Sequence, residues 1–536
     1  MLAAGQSPSG AATNERNVQS NDATTPANNT PGSRITPSTL PLTSQPSGTA
    51  LAQTAAISEE TIEIVPGFCV SFLEADQILE DYRSNMLSQF PFVPIPFTKS
   101  QDIYHSQPLL VKAIIYASRP QNAPMTDKVN RWFREYFAHH IVVLNEKSLE
   151  ILQAILVFLA WREVEFFINA YDTSLLHLAL GLVGDLGMNR FPEDQTIPSY
   201  PESIADAGLT TAVRGFNVRV VHTHAHRRAM LGLFYITSNI WTLFRRTEPP
   251  GYTDYAEKCC LELKQTPEYS SDQLLTGMVD LQRLVLQACV LGSKMTTTTR
   301  QEVLDTPRNM LVSSQQNWIE ETFTKLPQNI RFNHVIRSHY YTALIRLHES
   351  TIYLKPSNAP DGPLTRTQSL WACLENANLL LTSAPSTPVD VFSKSLFSMT
   401  AHVAFAHLTL TRLLFLNDAC WDAAAARKSI DYPGLVERLA DYFDTADRAR
   451  GGRQQTAVHE HAEAQSQHGK KTLSRAERLR WARTWYLSKS PIHETATTSM
   501  LGSAMNEPPS TAYLEAWGTS VASTYWQTLF DTDFGI

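Results

Sequence analysis

From about Thr61 to about residue 446, apolar residues return at spacings of three and four, the repeat of one face of an α-helix. Leu79, Tyr82, Met86 and Phe90 begin the pattern. Pro91, Pro94 and Pro96 interrupt it and force an extended segment, Phe90 to Phe97 (FPFVPIPF), because each proline lacks the amide a helix needs. Leu109, Leu110, Ala113, Ile114 and Ala117 restart the pattern. A strong helix is predicted from Ser148 to Phe167, with Ser148 as N-cap and Leu149, Leu152, Ile155, Leu156 and Leu159 as its stripe. Asp172 is placed to cap the next helix, which should stop near Gly187. Further helices are predicted over about His222 to Arg246, ended by Pro249, Pro250 and Gly251, and over roughly 271–295, 333–354, 368–382, 389–416 and 433–446. No run of alternating strands with hairpin turns is evident, nor any short repeat. The expected fold class is all-α: a large multi-helix domain preceded by a disordered N-terminal segment.

Composition sets the boundaries of that domain. Residues 1–60 are rich in Ser, Thr, Pro, Asn, Gly and Ala and hold few large apolar residues, so they cannot offset their ordering entropy and read as a disordered low-complexity linker. Residues 61–447 carry the helices. Residues 448–471 turn polar and read as a disordered loop. Residues 472–536 read as a C-terminal helical segment whose tail, from Tyr513 onward, sets Tyr525, Trp526, Phe530 and Phe534 beside Asp531 and Asp533. That tail fits either a coactivator-recruiting segment or an ordinary packed helix. The most apolar run, Ile151 to Trp161, is far short of the roughly 20 residues of a membrane span, and no export signal opens the chain, so an intracellular protein with no membrane partner is expected.

Charge and motif content narrow the function. A net charge of −7 is poorly suited to gripping nucleic-acid phosphates unaided. Lys470 to Arg483 (KKTLSRAERLRWAR) is locally basic; a solvated helix face ranks ahead of a nuclear-import signal or a nucleic-acid contact. The six cysteines, Cys69, Cys259, Cys260, Cys289, Cys373 and Cys420, have no metal-ligand spacing and read mostly as buried apolar residues. His222 and His226 share a helix face, but two ligands are too few for structural zinc, and His139, His140, His459 and His461 suggest no site. Gly181, Gly184 and Gly187 lack the spacing and the preceding strand of a dinucleotide fingerprint; helix packing plus a C-terminal stop explains them better. Arg227 with Arg228 and Arg245 with Arg246 read as ion pairs or caps at helix ends. There is no phosphate-cradling Gly-Lys-Ser/Thr loop, Cys-x-x-Cys, His-Glu-x-x-His or Gly-x-Ser-x-Gly. No catalytic, cofactor-binding or metal residue is therefore assigned, no cofactor is expected, and DNA-contacting residues stay unassigned.

Four segments in order carry a resemblance. They are Phe90 to Pro96 (FPFVPIP) with Pro108 to Ala117 (PLLVKAIIYA), Lys147 to Trp161 (KSLEILQAILVFLAW), Leu175 to Arg190 (LLHLALGLVGDLGMNR), and Arg227 to Cys260 (RRAMLGLFYITSNIWTLFRRTEPPGYTDYAEKCC). Together they resemble the regulatory, or middle homology, region of fungal binuclear-zinc-cluster transcription factors. The likeness runs over roughly 70–265 and continues over 266–450 as helical character alone. It implies a nuclear regulator of transcription, often a dimer, with a small-molecule effector and metabolic or secondary-metabolite target genes. Two departures stand out. The six-cysteine cluster expected before the linker has no counterpart, since residues 1–60 contain no Cys, and the often acidic position before Arg227 is His226. The resemblance therefore implies DNA contact only indirectly, through a DNA-binding partner in a homo- or heterodimer or through a zinc cluster outside this sequence. An interaction or ligand-sensing module that never touches chromatin is the alternative.

Overall fold

In a computed structural model the described residues are 61–119, 121–162, 173–191, 222–244, 251–297, 308–353, 363–450 and 474–490, all within one unit spanning Glu59–Ile536. The expected linker over 1–60, the polar loop over 451–471 and the tail from Tyr513 lie outside them. So do the Asp172 cap, residues 163–167, Arg245, Arg246, Pro249, Pro250, His459, His461, Lys470 and Lys471.

Eighteen α-helices make up nearly all of the described structure, an all-α fold. The first departure from the sequence expectation lies at the start of the described residues. The chain enters not as a helix but as an antiparallel hairpin, β1 (Thr61–Val65) and β2 (Phe68–Ser71), with Ile62 paired to Val70. Gly67 turns it at φ +89°, a left-handed conformation that costs glycine little. Ile62, Ile64, Phe68 and Val70 are buried, a period-two alternation too short to register against the helical pattern that follows.

The N-terminal helices are α1 (Phe72–Asp81), α2 (Ser100–Ser106), α3 (Pro108–Ser118), α4 (Ala123–Phe137), α5 (Leu149–Ala160), α6 (Thr173–Asp185), α7 (His224–Phe244) and α8 (Asp254–Gln265). A π-helical turn, Tyr82–Met86, extends α1. Ser148 caps α5 as expected, accepting the Ile151 amide at 3.2 Å. Every residue from Ile151 to Ala160 is buried, so α5 is the spine of this half. It ends at Ala160, short of the Phe167 expected. Helix α6 closes at Gly187, φ +65°, with the Gly187 amide donating to Gly184 and the Met188 amide to Val183. Gly181 and Gly184, in contrast, face open space, so close packing does not explain them.

Next come α9 (Asp272–Thr297), α10 (Arg308–Lys325), α11 (Gln328–Arg331) and α12 (His334–Tyr353), then α13 (Pro363–Ser383), α14 (Val389–Ser393), α15 (Phe397–Leu414), α16 (Ala423–Ser429), α17 (Tyr432–Ala449) and α18 (Arg475–Lys489). Within α9, Asp272–Gly292 is long and apolar enough to cross a membrane, but 67% of that window is buried inside the fold, as in a core helix. Helix α12 is the hub: Val335 and Ile336 join the N-terminal core, Ala343 and Leu344 a small core with α9, and Ile345 the C-terminal core. The helix expected over 389–416 is two helices. Between them the Lys394 carbonyl accepts from Trp161 Nε1 at 3.0 Å and Gln89 Nε2 at 3.3 Å, while the Val391 carbonyl accepts from Gln89 Nε2 at 3.2 Å. Those carbonyls are spent on tertiary bonds, which suits a helix break.

Candidate functional site

Three of the segments that carry the resemblance meet at one place. The Phe90–Pro96 turn inserts between α5 and α7, with Phe90, Phe92, Val93 and Ile95 buried. The Phe90 and Phe92 rings are 4.8 Å apart; Phe92 lies 5.1 Å from Tyr235 and Phe90 5.7 Å from Trp161. Tyr82 fixes the turn by donating to the Val93 carbonyl at 2.9 Å, and Arg83 by donating to the Pro96 carbonyl at 2.6 Å. The turn comes so close to α7 that a Cβ at Gly232 would sit 2.8 Å from Phe92 Cβ and 3.3 Å from Leu156 Cδ1. The glycine of the Leu-Gly-aromatic stretch is there because the turn needs its space.

Beyond this apolar wedge, α7 presents a polar face. Tyr235, Ser238, Asn239 and Thr242 follow at helical spacing and are buried against α9, α12 and α15. Tyr235 Oη lies 2.7 Å from His339 Nε2 and 3.5 Å from Ser398 Oγ. The His339 and His402 rings are 4.8 Å apart, edge to face, and Ser338 Oγ is 2.9 Å from His402 Nδ1. Two turns further along α12, Arg346 donates to the Thr242 carbonyl at 2.6 Å and to Glu349 at 2.8 and 2.9 Å, its guanidinium 3.6 Å from the Phe405 ring centroid. Gln282 Nε2 reaches Thr242 Oγ1 at 3.4 Å.

Burial keeps the histidines and Tyr235 of this seam neutral, while Arg346 keeps its charge. Burial pushes the His339 imidazole down to about 3. His402 is held well below its usual value by burial first, then by His339 and Arg346. Burial raises the Tyr235 phenol, so Tyr235 stays a neutral donor. Burial opposes the charge on Arg346, but Glu349 first, with Cys289 and Tyr353, outweighs it, and the pKa of Arg346 rises. Several buried atoms of the seam have no hydrogen-bond partner: His339 Nδ1, His402 Nε2, Thr342 Oγ1, Asn239 Oδ1, Gln282 Oε1 and Arg346 Nε.

The residues singled out from sequence go elsewhere. Arg227 pairs with Glu262 at 2.5 Å. Arg228 is fully buried, with its Nε and NH2 2.7 and 2.9 Å from the two Asp272 oxygens and its NH1 2.9 Å from Glu268. Asp272 also accepts the Glu268 and Tyr269 amides; burial raises its pKa, but these bonds and Arg228 prevail and lower it. The arginine pair thus makes ion pairs, as the sequence suggested, and ties α7 to α8 and α9. His222 bonds the Tyr255 hydroxyl, and His226 Nδ1 the Thr223 hydroxyl at 2.7 Å. His140 pairs with Glu146 at 2.6 Å and stacks on Tyr136. Cys259, Cys260, Cys289 and Cys373 are buried, Cys420 is half-buried and Cys69 exposed; all are free thiols. Among the described residues, no group of three or more His, Cys, Asp or Glu side chains is placed to hold a metal ion. The described part of the basic stretch is a partly solvated face, as the sequence suggested, but its charges are not free: Arg475, Arg480 and Arg483 pair with acids of α17. Sequence reading missed His339 and His402; the signal was a histidine inside each of two apolar stripes.

No protein-family model matches the chain, and no solved structure matches it. Curated relatives do. The transcription factor himD of Aspergillus japonicus is 22% identical over 378 residues, 70% of this chain and 60% of that protein. The transcription factor opdL of Penicillium oxalicum is 23% identical over 391 residues, 71% of this chain and 67% of that protein. The transcriptional regulator WAR1 of Candida albicans is 21% identical over 217 residues, 39% of this chain and 22% of that protein. This chain therefore spans only part of the length of the relatives it matches. Alignments of this extent agree with the resemblance carried by the four segments, and they make the chain a distant homologue of fungal transcription factors.

Proposed function

We propose that this chain is a fungal transcriptional regulator, active in the nucleus as a homo- or heterodimer, whose helical unit governs genes of a metabolic or secondary-metabolite cluster. The observation that carries the reading is the alignment with himD and opdL along about 70% of the chain. The six cysteines are scattered without metal-ligand spacing and none falls in residues 1–60, so the sequence-specific DNA contact is assigned to a DNA-binding partner or to a zinc cluster outside this sequence. No catalytic role is proposed. The test is chromatin immunoprecipitation of the tagged protein expressed from its own locus. Discrete promoter peaks support the reading, and the sequence beneath them identifies the DNA reader. A cytosolic protein with no peaks overturns it.

A second reading is a ligand-sensing module that does not touch chromatin. It is favoured by the polar seam, where buried polar side chains of α7, α9, α12 and α15 meet. A polar effector that bonded them would draw these four helices together.

A further inference from the structure

Helix α18 is bound to the rest of the molecule in an unusual way. The Ser474–Glu477 capping box fixes its start, with Glu477 N donating to Ser474 Oγ at 3.1 Å and Ser474 N to Glu477 Oε2 at 2.6 Å. Its apolar contribution is one stripe: Ala476, Leu479, Ala482 and Tyr486 are buried, with Tyr486 4.5 Å from Tyr432 and 5.5 Å from Phe415, and the half-buried Trp485 and Leu487 pack beside them, Trp485 5.0 Å from Phe415. The rest of its grip is ionic. The helix carries Arg475, Arg478, Arg480, Arg483 and Lys489 against the single acid Glu477. It lies along α17, where Glu437, Asp441, Asp444 and Asp447 form one stripe at helical spacing. Arg480 is surrounded by three of them, at 3.2 Å from Glu437, 2.8 Å from Asp441 and 2.7 Å from Asp444. Arg483 lies 3.4 Å from Glu437, and Arg475 pairs with Asp447.

The Arg480 and Arg483 pairs are wet, unlike Arg475 with the buried Asp447: Arg480 is 37% exposed and Asp441 68%, so each of these contacts is weak and is screened by salt. A cation held by several exposed carboxylates is also one that phosphates can take over, because phosphate oxygens offer the same acceptors with more charge. We propose that α18 is a polyanion-binding helix held in check by the acidic stripe of α17, and that the partner it fits is the phosphate backbone of duplex DNA. A capped helix presents its arginines on a rigid rod, which suits a duplex. A groove that reads an extended basic peptide, such as that of a nuclear-import receptor, would have to unwind it. This proposal does not depend on the regulator reading above.

The test uses the full chain and a fluorescent duplex of about 20 base pairs and arbitrary sequence, followed by anisotropy between about 50 and 200 mM salt. Neutralising the stripe in the triple variant E437Q/D441N/D444N should tighten binding roughly tenfold over the parent, with a steeper salt dependence. Adding R475A/R480A/R483A should abolish that gain. Neutralising three exposed acids elsewhere, E135Q/E257Q/E375Q, controls for net charge and should give a much smaller effect. Faster amide exchange across 475–489 shows whether the helix has been released. Release with no tightening beyond the control overturns the proposal, as does a gain for an import receptor without one for DNA. If the triple variant does not fold, D441N alone, at the most exposed acid, should tighten binding roughly two- to threefold, and no tightening there is equally fatal.

Discussion

Arg228 in the N-terminal half and Arg480 in the C-terminal half each gather more than one carboxylate at hydrogen-bonding distance, yet they hold the molecule in opposite ways. Arg228 and Asp272 are 1% and 0% exposed. Both charges were taken out of water to form the pair, so neither partner tolerates losing the other. Arg480 and its three acids sit where water competes and salt screens. Similar distances therefore mean a permanent joint at α7–α9 and a releasable one at α17–α18. The core around each reflects this. Near Arg228 the wedge, α5 and α7 close without space to spare, as the 2.8 Å approach at Gly232 shows. On α18 only a thin apolar stripe is buried.

This contrast is open to attack at several points. Arg228→Met should cost about 3–5 kcal/mol by leaving Asp272 buried and unpaired. Chemical denaturation of the full chain would show it, and a loss below about 1 kcal/mol would mean that the N-terminal joint is no tighter than the C-terminal one. Gly232→Ala should cost about 1–3 kcal/mol by overpacking the wedge. A stability matching the parent would mean that Phe92 yields and that this half is softer than its packing implies.

Acid should act on the seam between the halves. His339 is pushed down to about 3, and His402 is also held well below its usual value. Histidines depressed in the folded state contribute fully above pH 6.5. Their contribution falls as pH drops below 6.5, by up to about 1.4 kcal/mol per histidine per pH unit, because the unfolded chain binds protons the folded chain refuses. Asp272 is likewise held below its usual value, so its contribution is also lost on acidification, but only from the carboxylate range downward. Thermal melts from pH 7.5 to 5 should show the loss, and H402Q should shrink it; a flat profile would mean that the imidazoles are not buried and neutral. The smallest effect is expected for Arg480→Ala, at or below about 1 kcal/mol and vanishing near 1 M salt. A salt-independent loss would place Arg480 in the same class as Arg228.

Much of the architecture was legible because burial writes a period into the sequence. The Ser148 cap, the α5 stripe, the Gly187 stop and the apolar turn at Phe90 all followed from residue type and spacing. What escaped has physical reasons. The hairpin over 61–71 alternates for only a few residues. Helix α4 has one buried stripe, Val129, Phe133 and Phe137, beneath a mostly polar surface. The break at Lys394 depends on Gln89 and Trp161, more than 200 residues away in sequence. The candidate site was illegible for the same kind of reason: His339 and His402 look like ordinary members of two helical stripes until the fold brings their rings to 4.8 Å. The basic stretch was visible as charge, but its neutralisation by Glu437, Asp441 and Asp444 depends on how two helices pair.

The bonds from Gln89 to the 391 and 394 carbonyls have a consequence for synthesis. They join residues 302 and 305 positions apart. At about 5–20 residues per second, a ribosome needs roughly 15–60 seconds to travel from one partner to the other. Over that interval the nascent chain carries Gln89, and for its later part Trp161, without the carbonyls they eventually bond, a window in which chaperones have an apolar target.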